Sequence, residues 1–201
     1  MNNTAIIILA AGNSSRFGST KQLLQFNNKT LLQHVIDEAI ESGAEPIVVV
    51  TGANANEVSK VIEDDNVEIT LNEDWEQGMS SGIVAGLKKA ITLNNDIENA
   101  IIAVCDQPFI SSALFQQLYK MQNESVKHIV ASAYANTMGT PVLFTQKYFD
   151  ALMSLQGDEG AKKILLANKD DVVTIDFPQG NIDIDTQDDY KKLLDKQRHV
   201  L

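Results

Sequence analysis

A glycine-rich stretch near the N-terminus has the residue types that bind a polyphosphate. It follows an apolar, β-branched run at residues 5–9, which predicts a buried parallel strand leading into a loop. After Leu9, the last residue of the run, the loop begins with the small residues Ala10, Ala11 and Gly12. Small residues let phosphate oxygens approach backbone N–H groups, and Arg16 and Lys21 add two positive charges. In a chain of net charge −11, this stretch predicts a polyanion site.

The spacing in this stretch differs from that of two common phosphate-binding loops. A P-loop has Lys and then Ser or Thr directly after its last glycine, whereas Gly18 is followed by Ser19, Thr20 and Lys21. The dinucleotide fingerprint has three closely spaced glycines, which this stretch lacks. A tight turn with two solvated cations is the alternative interpretation.

Taken whole, the stretch resembles the signature L-A-A/G-G-x-S-x-R-x-G-x-x-K of nucleotidyltransferases in the MobA-like NTP transferase family. Its Leu-Ala-Ala-Gly form is similar to the molybdenum cofactor cytidylyltransferases. The resemblance implies that Leu9, Ala10, Ala11, Gly12 and Ser14 bind the nucleotide, with Ala11, Gly12 and Ser14 holding phosphate oxygens. It also implies that Arg16 neutralises the leaving phosphates and that Lys21 lies against the α-phosphate.

Asp106 directly follows the apolar strand predicted at 99–104, so we expect it at the carboxyl edge of the sheet. A carboxylate beside a polyphosphate suits Mg²⁺, which takes one or two carboxylates plus phosphate and water oxygens. A helix N-cap or a solvated turn is the alternative, because Pro108 follows. The segment resembles the family's Asp-Gln-Pro motif. That resemblance implies that Asp106 is a catalytic metal ligand and that Gln107 binds nucleotide.

A second acidic segment is Asp183-Ile184-Asp185-Thr186. A strand predicted at 182–184 would send the carboxylates of Asp183 and Asp185 in the same direction. The segment resembles the closing Asp-Ile-Asp-Thr motif of the family, which implies that Asp185 is the second metal ligand and leaves Asp183 open. Capping of the last helix by Asp185 or Thr186 is the alternative.

Residues 72–82 contain two glycines and two serines before a predicted amphipathic helix, a pattern that presents N–H groups and hydroxyls at a helix N-terminus. They resemble the family's Asn-x-x-Trp-x-x-Gly-Met-x-x-Ser segment, which contacts base and ribose. The nucleotide-binding residues implied here are Asn72, Gly78, Ser80 and Ser81. A capped helix with Trp75 in the core is the alternative.

Two later segments resemble the acceptor side of the same family. Residues 139–144 resemble Gly-x-Pro-x-x-Phe, and residues 157–163 resemble Gly-Asp-x-Gly-Ala-Arg with a lysine in place of the arginine. A lysine keeps the charge but lacks the two-pronged guanidinium. The acceptor residues implied are Gly139, Pro141, Asp158 and Lys162.

Apolar β-branched runs alternate with helical patterns, which predicts βαβ units and a parallel sheet. Strands are expected at 5–9, 46–51, 67–71, 99–104, 128–133, 141–144, 172–175 and 182–184. Helices are expected at 31–40, 54–63, 80–93, 114–121, 148–155, 161–167 and from 186. We therefore predict one α/β domain over 1–201, with a doubly wound (Rossmann-like), mostly parallel mixed sheet. The resemblance adds the nucleotide-diphospho-sugar transferase type.

The charge, the length of the apolar runs and the cysteine content indicate which partners and which location to expect. A pI near 4.6 argues against binding to nucleic acid or an anionic membrane, because both require clustered Lys and Arg. The N-terminal residues lack a signal-peptide pattern and no apolar run approaches 18 residues, so we expect no membrane segment and a cytoplasmic location. The single cysteine, Cys105, cannot form an internal disulfide, and we expect it to be buried and unreactive.

The resemblance extends from Leu9 to Tyr190 and implies transfer of CMP from CTP to the phosphate of molybdopterin, with Mg²⁺ as cofactor and pyrophosphate as product. Same-class alternatives are a guanylyltransferase of that pathway, using GTP, and a transferase for a sugar phosphate or other small phosphorylated acceptor. The alternative of another class is a non-catalytic nucleotide-binding maturation factor for a molybdoenzyme. We further expect a monomer or weak homodimer, with a molybdoenzyme or chaperone as possible partner.

Overall fold

The computed structural model describes residues 1–13, 17, 20–62, 64–184 and 186–198. The strands are β1 (Thr4–Leu9), β2 (Gln25–Phe26), β3 (Lys29–Thr30), β4 (Ile47–Thr51), β5 (Val67–Leu71), β6 (Asn99–Val104), β7 (Ile129–Tyr134), β8 (Thr137–Thr145) and β9 (Val172–Asp176). The α-helices are α1 (Leu31–Glu41), α2 (Ala55–Ser59), α3 (Met79–Leu93), α4 (Ser112–Glu124), α5 (Phe149–Met153), α6 (Ala161–Ala167) and α7 (Gln187–Arg198). Short 3-10 turns lie at Lys21–Leu23, Trp75–Gln77, Gln146–Tyr148 and Lys169–Asp171.

The main sheet has seven strands in the order β5-β4-β1-β6-β8-β7-β9, and β2 pairs with β3 in a separate small sheet. Strands β1, β4, β5 and β6 are mutually parallel, whereas β8 runs antiparallel to both β6 and β7. The predicted α/β fold with a mostly parallel mixed sheet is confirmed. The chain moves outward from β1 to β5 and then returns to β6 on the other side of β1. The crevice beyond β1 and β6 is therefore the switch point at which such sheets bind ligands.

Alternation along β1 explains why both faces of the sheet are covered. Ile6 and Ile8 are fully buried in the cluster that contains α1 and α4. Ile7 is fully buried in the opposite cluster, with Ile83 and Leu87 of α3. A strand that is buried on both sides needs a continuous apolar sequence, which is the pattern at residues 5–9. The two helical layers thus fix the position of the strand from which the glycine-rich loop leaves.

The strand predicted at 182–184 was wrong. The Ile182 N–H donates to the Gln179 carbonyl at 3.1 Å, and the Ile184 N–H donates to the Asp106 carbonyl at 3.1 Å. The Ile184 side chain is fully buried beside Phe17, so its apolar character fills a small cluster rather than a sheet face. The segment crosses the loop after β6 without joining the sheet. The expectation that the carboxylates of Asp183 and Asp185 point in the same direction depended on that strand, so it loses its support.

Two other elements differ from their predicted lengths. The helix expected at 54–63 is reduced to α2, where Val58 alone is buried, so little packing extends it. β8 is longer than expected because it forms a two-residue hairpin with β7. The turn residues Ala135 and Asn136 both have positive φ, 46° and 59°, as such tight hairpins require. Across the described part of the chain, no helix is long and apolar enough to cross a bilayer.

Candidate active site

A cavity of about 500 Å³ opens beyond the carboxyl ends of β1 and β6. The loop after β1, the start of α3 and the loop after β6 form its walls. Among the residues proposed from the sequence, the cavity is lined by Leu9, Ala10, Ala11, Gly12, Lys21, Asn72, Gly78, Asp106 and Asp158. Four separate stretches of the sequence therefore meet at the sheet edge where parallel strands place a ligand.

The closest charged contact in the cavity joins Lys21 and Asp106. The Lys21 ammonium donates to Asp106 Oδ2 at 2.6 Å, and the two side chains are 17% and 20% exposed. The sheet register places the two loops that carry these residues side by side, because Leu9 at the end of β1 pairs with Val104 at the end of β6. Since both charged groups remain partly open to the cavity, an entering anion can compete for Lys21 and a cation for Asp106.

Gly78 and Ser80 fasten the start of α3 to the loop at Gly157. The Ser80 hydroxyl and its N–H both donate to the Gly157 carbonyl, at 2.7 and 3.2 Å. Gly78 has φ +96°, and a Cβ there would lie 2.6 Å from the same carbonyl oxygen, so a glycine is required. The contact brings Asp158 to the cavity wall beside Gly78. Residues assigned from the sequence to the nucleotide and acceptor sides are thus in direct contact.

Asn72 and Ser81 bond to one another next to this contact. Asn72 is 4% exposed, and its amide donates to Ser81 Oγ at 2.8 Å. The Ser81 hydroxyl in turn donates to the Gly78 carbonyl at 2.8 Å. Both serine hydroxyl hydrogens are therefore used within the protein. Any ligand contact with Ser80 or Ser81 would have to use the oxygen lone pairs.

Cys105 is 3% exposed, between Val104 and Asp106. Burial and, to a smaller extent, the negative charge of Asp106 together raise the pKa of its thiol to about 12, with the positive charge of Lys21 partly opposing them. At neutral pH the side chain is therefore a thiol rather than the nucleophilic thiolate. This agrees with the sequence-based expectation of a small buried residue.

Comparison with known proteins identifies the fold's relatives. Residues 6–172 match the MobA-like NTP transferase domain. The chain belongs to this family. It is 28% identical to nicotine blue oxidoreductase of Paenarthrobacter nicotinovorans, over 94% of this chain and 95% of that protein. It is 25% identical to the molybdenum cofactor cytidylyltransferase of Escherichia coli, over 92% of each. The solved complex of Rv0371c from Mycobacterium tuberculosis with manganese shares 26% identity and a TM-score of 0.76, covering 96% of this chain and 98% of that one.

Membership makes the protein a MobA-like nucleotidyltransferase. Not all of the site residues predicted from the sequence line the cavity. Ser14, Arg16 and Asp185 lie outside the described residues. Lys162 is exposed on α6 and is not among the described residues that line the cavity. Pro141 is buried on β8, where its carbonyl accepts the Ser132 hydroxyl at 2.7 Å. Of the residues predicted from the sequence for the acceptor side, Asp158 is therefore the one that lines the cavity.

Tyr134 is a residue of this MobA-like domain that the sequence motifs did not single out. It is half-buried at the end of β7, and a Cβ on Gly139 would overlap its hydroxyl. Burial raises the pKa of Tyr134, as does the charge of Asp183, while hydrogen bonds with Thr140 and Gln107 oppose the rise. Gly139 thus leaves room for a phenol beside Gln107. No sequence signal marks Tyr134, because its neighbours come from three distant segments.

Gln107 is 1% exposed, and its amide donates to the Gly180 carbonyl at 2.7 Å, while its Oε1 accepts no hydrogen bond within the part of the chain that the structure describes. Gln22 is a second residue that the motifs missed, and it lines the cavity beside Lys21. No sequence signal marks Gln22, because it stands in a mixed polar and apolar segment, Lys21-Gln22-Leu23-Leu24-Gln25, and its burial appears only in the folded chain. An amide in that position must bond to the backbone around it.

Proposed function

We propose that the protein transfers CMP from CTP to the terminal phosphate of molybdopterin and releases pyrophosphate. The observation that supports this most strongly is the 2.6 Å contact between Lys21 and Asp106 at the switch point of the sheet. It pairs a cation for phosphates with a carboxylate for a metal, and the two come from separate motifs. The cytidylyltransferase relative, matched over 92% of each chain, supports the choice of CTP and of this acceptor.

In this proposal the loop after β1 holds the triphosphate. The N–H groups of Ala11 and Gly12, with Ser14, bind its oxygens, and Arg16 neutralises the leaving pyrophosphate. Lys21 moves from Asp106 to the α-phosphate. An acceptor phosphate oxygen then attacks the α-phosphorus, and the bond to the bridging oxygen breaks with its electron pair going to pyrophosphate. The acceptor is already anionic, so positioning and charge stabilisation suffice without a strong general base.

The donor set suits a hard divalent cation. Asp106 supplies a carboxylate oxygen, and Asp185 is the proposed second ligand. Among the described residues, no three His, Cys, Asp or Glu side chains cluster as a metal site on their own, so phosphate oxygens would complete the coordination. Bound Mg²⁺ would neutralise charge on the α-phosphate. The manganese complex of a solved relative supports a divalent cation.

The far wall of the cavity is proposed to receive the base and the acceptor. Trp75 and Met79 offer apolar surface there, and Asp158 is a hydrogen-bond acceptor for N–H groups. Asn72 and Gly78 complete the nucleotide side, with Ala11 and Gln107 favouring cytosine by resemblance. Gly139, Pro141 and Lys162 remain proposed acceptor residues. We also propose that 1–201 forms one domain, as a monomer or weak homodimer.

The test is a pyrophosphate-release assay with Mg²⁺ in which CTP, GTP, ATP and UTP are offered in turn. Molybdopterin and its molybdenum form serve as acceptors, and a reaction without acceptor is the control. Release with CTP alone that depends on acceptor is the expected result. A preference for GTP would assign the guanylyltransferase alternative. Nucleotide binding without release would contradict catalysis with these acceptors and favour another phosphorylated acceptor or the non-catalytic role.

The relative named nicotine blue oxidoreductase supports a second candidate, the reduction of a small molecule by a nicotinamide dinucleotide. The same loop would then hold the dinucleotide's pyrophosphate. The Lys21–Asp106 pair favours transfer, because hydride transfer requires no metal-binding carboxylate beside a phosphate. Loss of reduced-nicotinamide absorbance with a small-molecule electron acceptor, in the presence of EDTA, would favour this second candidate.

A further inference from the structure

Gln22 lies directly after Lys21 in the 3-10 turn and is 1% exposed. Its Nε2 donates to the Ala10 carbonyl at 3.0 Å and to the Gly12 carbonyl at 2.8 Å. Both amide hydrogens are therefore used on the loop that leaves β1. A buried amide needs such partners, and here they are alternate carbonyls of one short segment.

These two bonds orient the peptide groups of the loop. The Ala10–Ala11 and Gly12–Asn13 peptides are trans, so the N–H of each points away from its carbonyl. The N–H groups of Ala11 and Asn13 therefore point away from Gln22. The Ala11 carbonyl is held separately, because it accepts the Ala53 N–H at 3.3 Å. That bond directs the Gly12 N–H away from Ala53.

We infer that Gln22 is a positioning residue that presents the N–H groups of Ala11 and Asn13 to the phosphates of the nucleotide. The inference rests on the proposed nucleotide binding and adds a residue to it. Gln22 also ties this loop to the pair that faces it, since the same 3-10 turn carries Lys21 on Asp106. One turn thus sets the relative position of backbone donors and cation. Preorganised donors of this kind bind phosphate charge without reorganising.

The residue type matters as much as the position. A methionine has nearly the length of glutamine but donates no hydrogen bond, so both carbonyls would lose their partner and could rotate toward the phosphates. An asparagine keeps the amide but is one methylene shorter, so it cannot reach both carbonyls. The matched control is Gln25, three residues along the chain, whose side chain is exposed.

The experiment compares Gln22→Met, Gln22→Asn and Gln25→Met with the wild type. Calorimetry with Mg²⁺ measures the binding of CTP, inorganic pyrophosphate and CMP, and steady-state kinetics measures the KM for CTP and for the acceptor. Gln22→Met is expected to weaken CTP and pyrophosphate about tenfold to a hundredfold, with Gln22→Asn in between, the range typical of lost supporting hydrogen bonds around a site. We assign the N–H groups of Ala11 and Asn13 to the β- and γ-phosphates, which CMP and the acceptor site do not use, so the affinity for CMP and the KM for acceptor should change less than about threefold.

Equal weakening of CMP and CTP, or a lower melting temperature with unchanged constants per folded molecule, would overturn the positioning role in favour of a structural one. If Gln22→Met does not fold, Gln22→Asn decides by the same two criteria. A wild type that binds CTP and pyrophosphate but turns over no acceptor contradicts only the proposed reaction, and the Gln22 comparison still holds. A wild type that binds neither ligand overturns both proposals.

Discussion

Two aspartates of this protein, Asp106 and Asp171, each contact a lysine and have the same exposed fraction of 20%, yet their surroundings differ. Asp171 accepts hydrogen bonds from Lys147 at 2.7 Å, from the Tyr148 hydroxyl at 2.8 Å and from the His128 N–H at 3.1 Å. Among the described residues, the Asp106 carboxylate accepts from Lys21 alone. The Asp171 carboxylate is occupied by hydrogen bonds within the protein, whereas the Asp106 carboxylate retains lone pairs with which a ligand can interact.

The hydrogen bonds around Asp171 change the pKa values of that carboxyl and of Tyr148. Burial alone would raise the pKa of Asp171, but the bonds from Lys147, Tyr148 and the His128 N–H outweigh it and lower the pKa to about 2. Burial and the same carboxylate raise the pKa of Tyr148 to about 12. The hydrogen bond between the two groups therefore favours the charged carboxylate of Asp171 and the protonated phenol of Tyr148. The number of donors around a carboxylate, rather than its exposure, separates the two roles.

The largest expected effect is on catalysis by the open carboxylate. Asp106→Ala should lower the rate of pyrophosphate release by at least about a thousandfold, because a charge-stabilising metal ligand is lost. The melting temperature should stay close to that of the wild type, since Asp106 has one lysine partner. Asp171→Asn is the matched control and should retain its rate per folded molecule. Activity of Asp106→Ala within about tenfold of wild type would remove Asp106 from the role.

The lysines provide the second contrast. Lys21→Met should lower kcat/KM for CTP about a hundredfold, the cost of losing one positioned donor to the reacting phosphate. Lys147→Met removes the same charge at the other aspartate and should change kcat/KM less than about twofold. The measurement is steady-state kinetics at constant ionic strength. Equal losses in the two variants would indicate a general effect of net charge rather than a contact with phosphate.

The free energy of unfolding should fall more in Asp171→Asn than in Asp106→Ala, which is the reverse of the order expected for activity. Asp171→Asn should lower the free energy of unfolding by about 1–3 kcal/mol, because Lys147 and Tyr148 lose a charged acceptor. For a domain of this size that corresponds to a fall in melting temperature of about 2–4 °C per kcal/mol. Calorimetric or denaturant unfolding measures it, with Asp106→Ala as comparison. A larger loss in Asp106→Ala would contradict the division between the two sites.

The smallest expected effect is the acid dependence of that stability. The folded pKa of Asp171 lies below its usual value of 3.8, so its contribution is complete above about pH 4 and is lost as the pH falls through about 2. The contribution is on the order of 1–2 kcal/mol. Denaturant unfolding of wild type and Asp171→Asn between pH 5 and pH 2 should show the two free energies converging. A constant gap down to pH 2 would mean that the native pKa is not depressed.

The sequence predicted the elements that depend on local pattern. The apolar runs at 5–9 and 99–104 correspond to β1 and β6, which is why Lys21 and Asp106 could be expected at one edge. What the sequence could not show depends on contacts between distant segments. Ile184 is apolar because it fills a cluster beside Phe17, not because it lies in a strand. Tyr134 and Gln22 carry no motif, and only the folded backbone shows which carbonyls and side chains surround them.

The register pair Leu9 and Val104 has an evolutionary consequence. Both residues are the last of their strands, so the two functional loops begin immediately outside the hydrogen-bonded ladder. Loop residues can be replaced without disturbing strand pairing, since the ladder ends before them. Proteins named for a cytidylyl transfer and for a redox reaction both match more than nine-tenths of this chain. Because the residues that form the sheet and the residues that contact a ligand lie in separate segments, this fold tolerates such divergence in function.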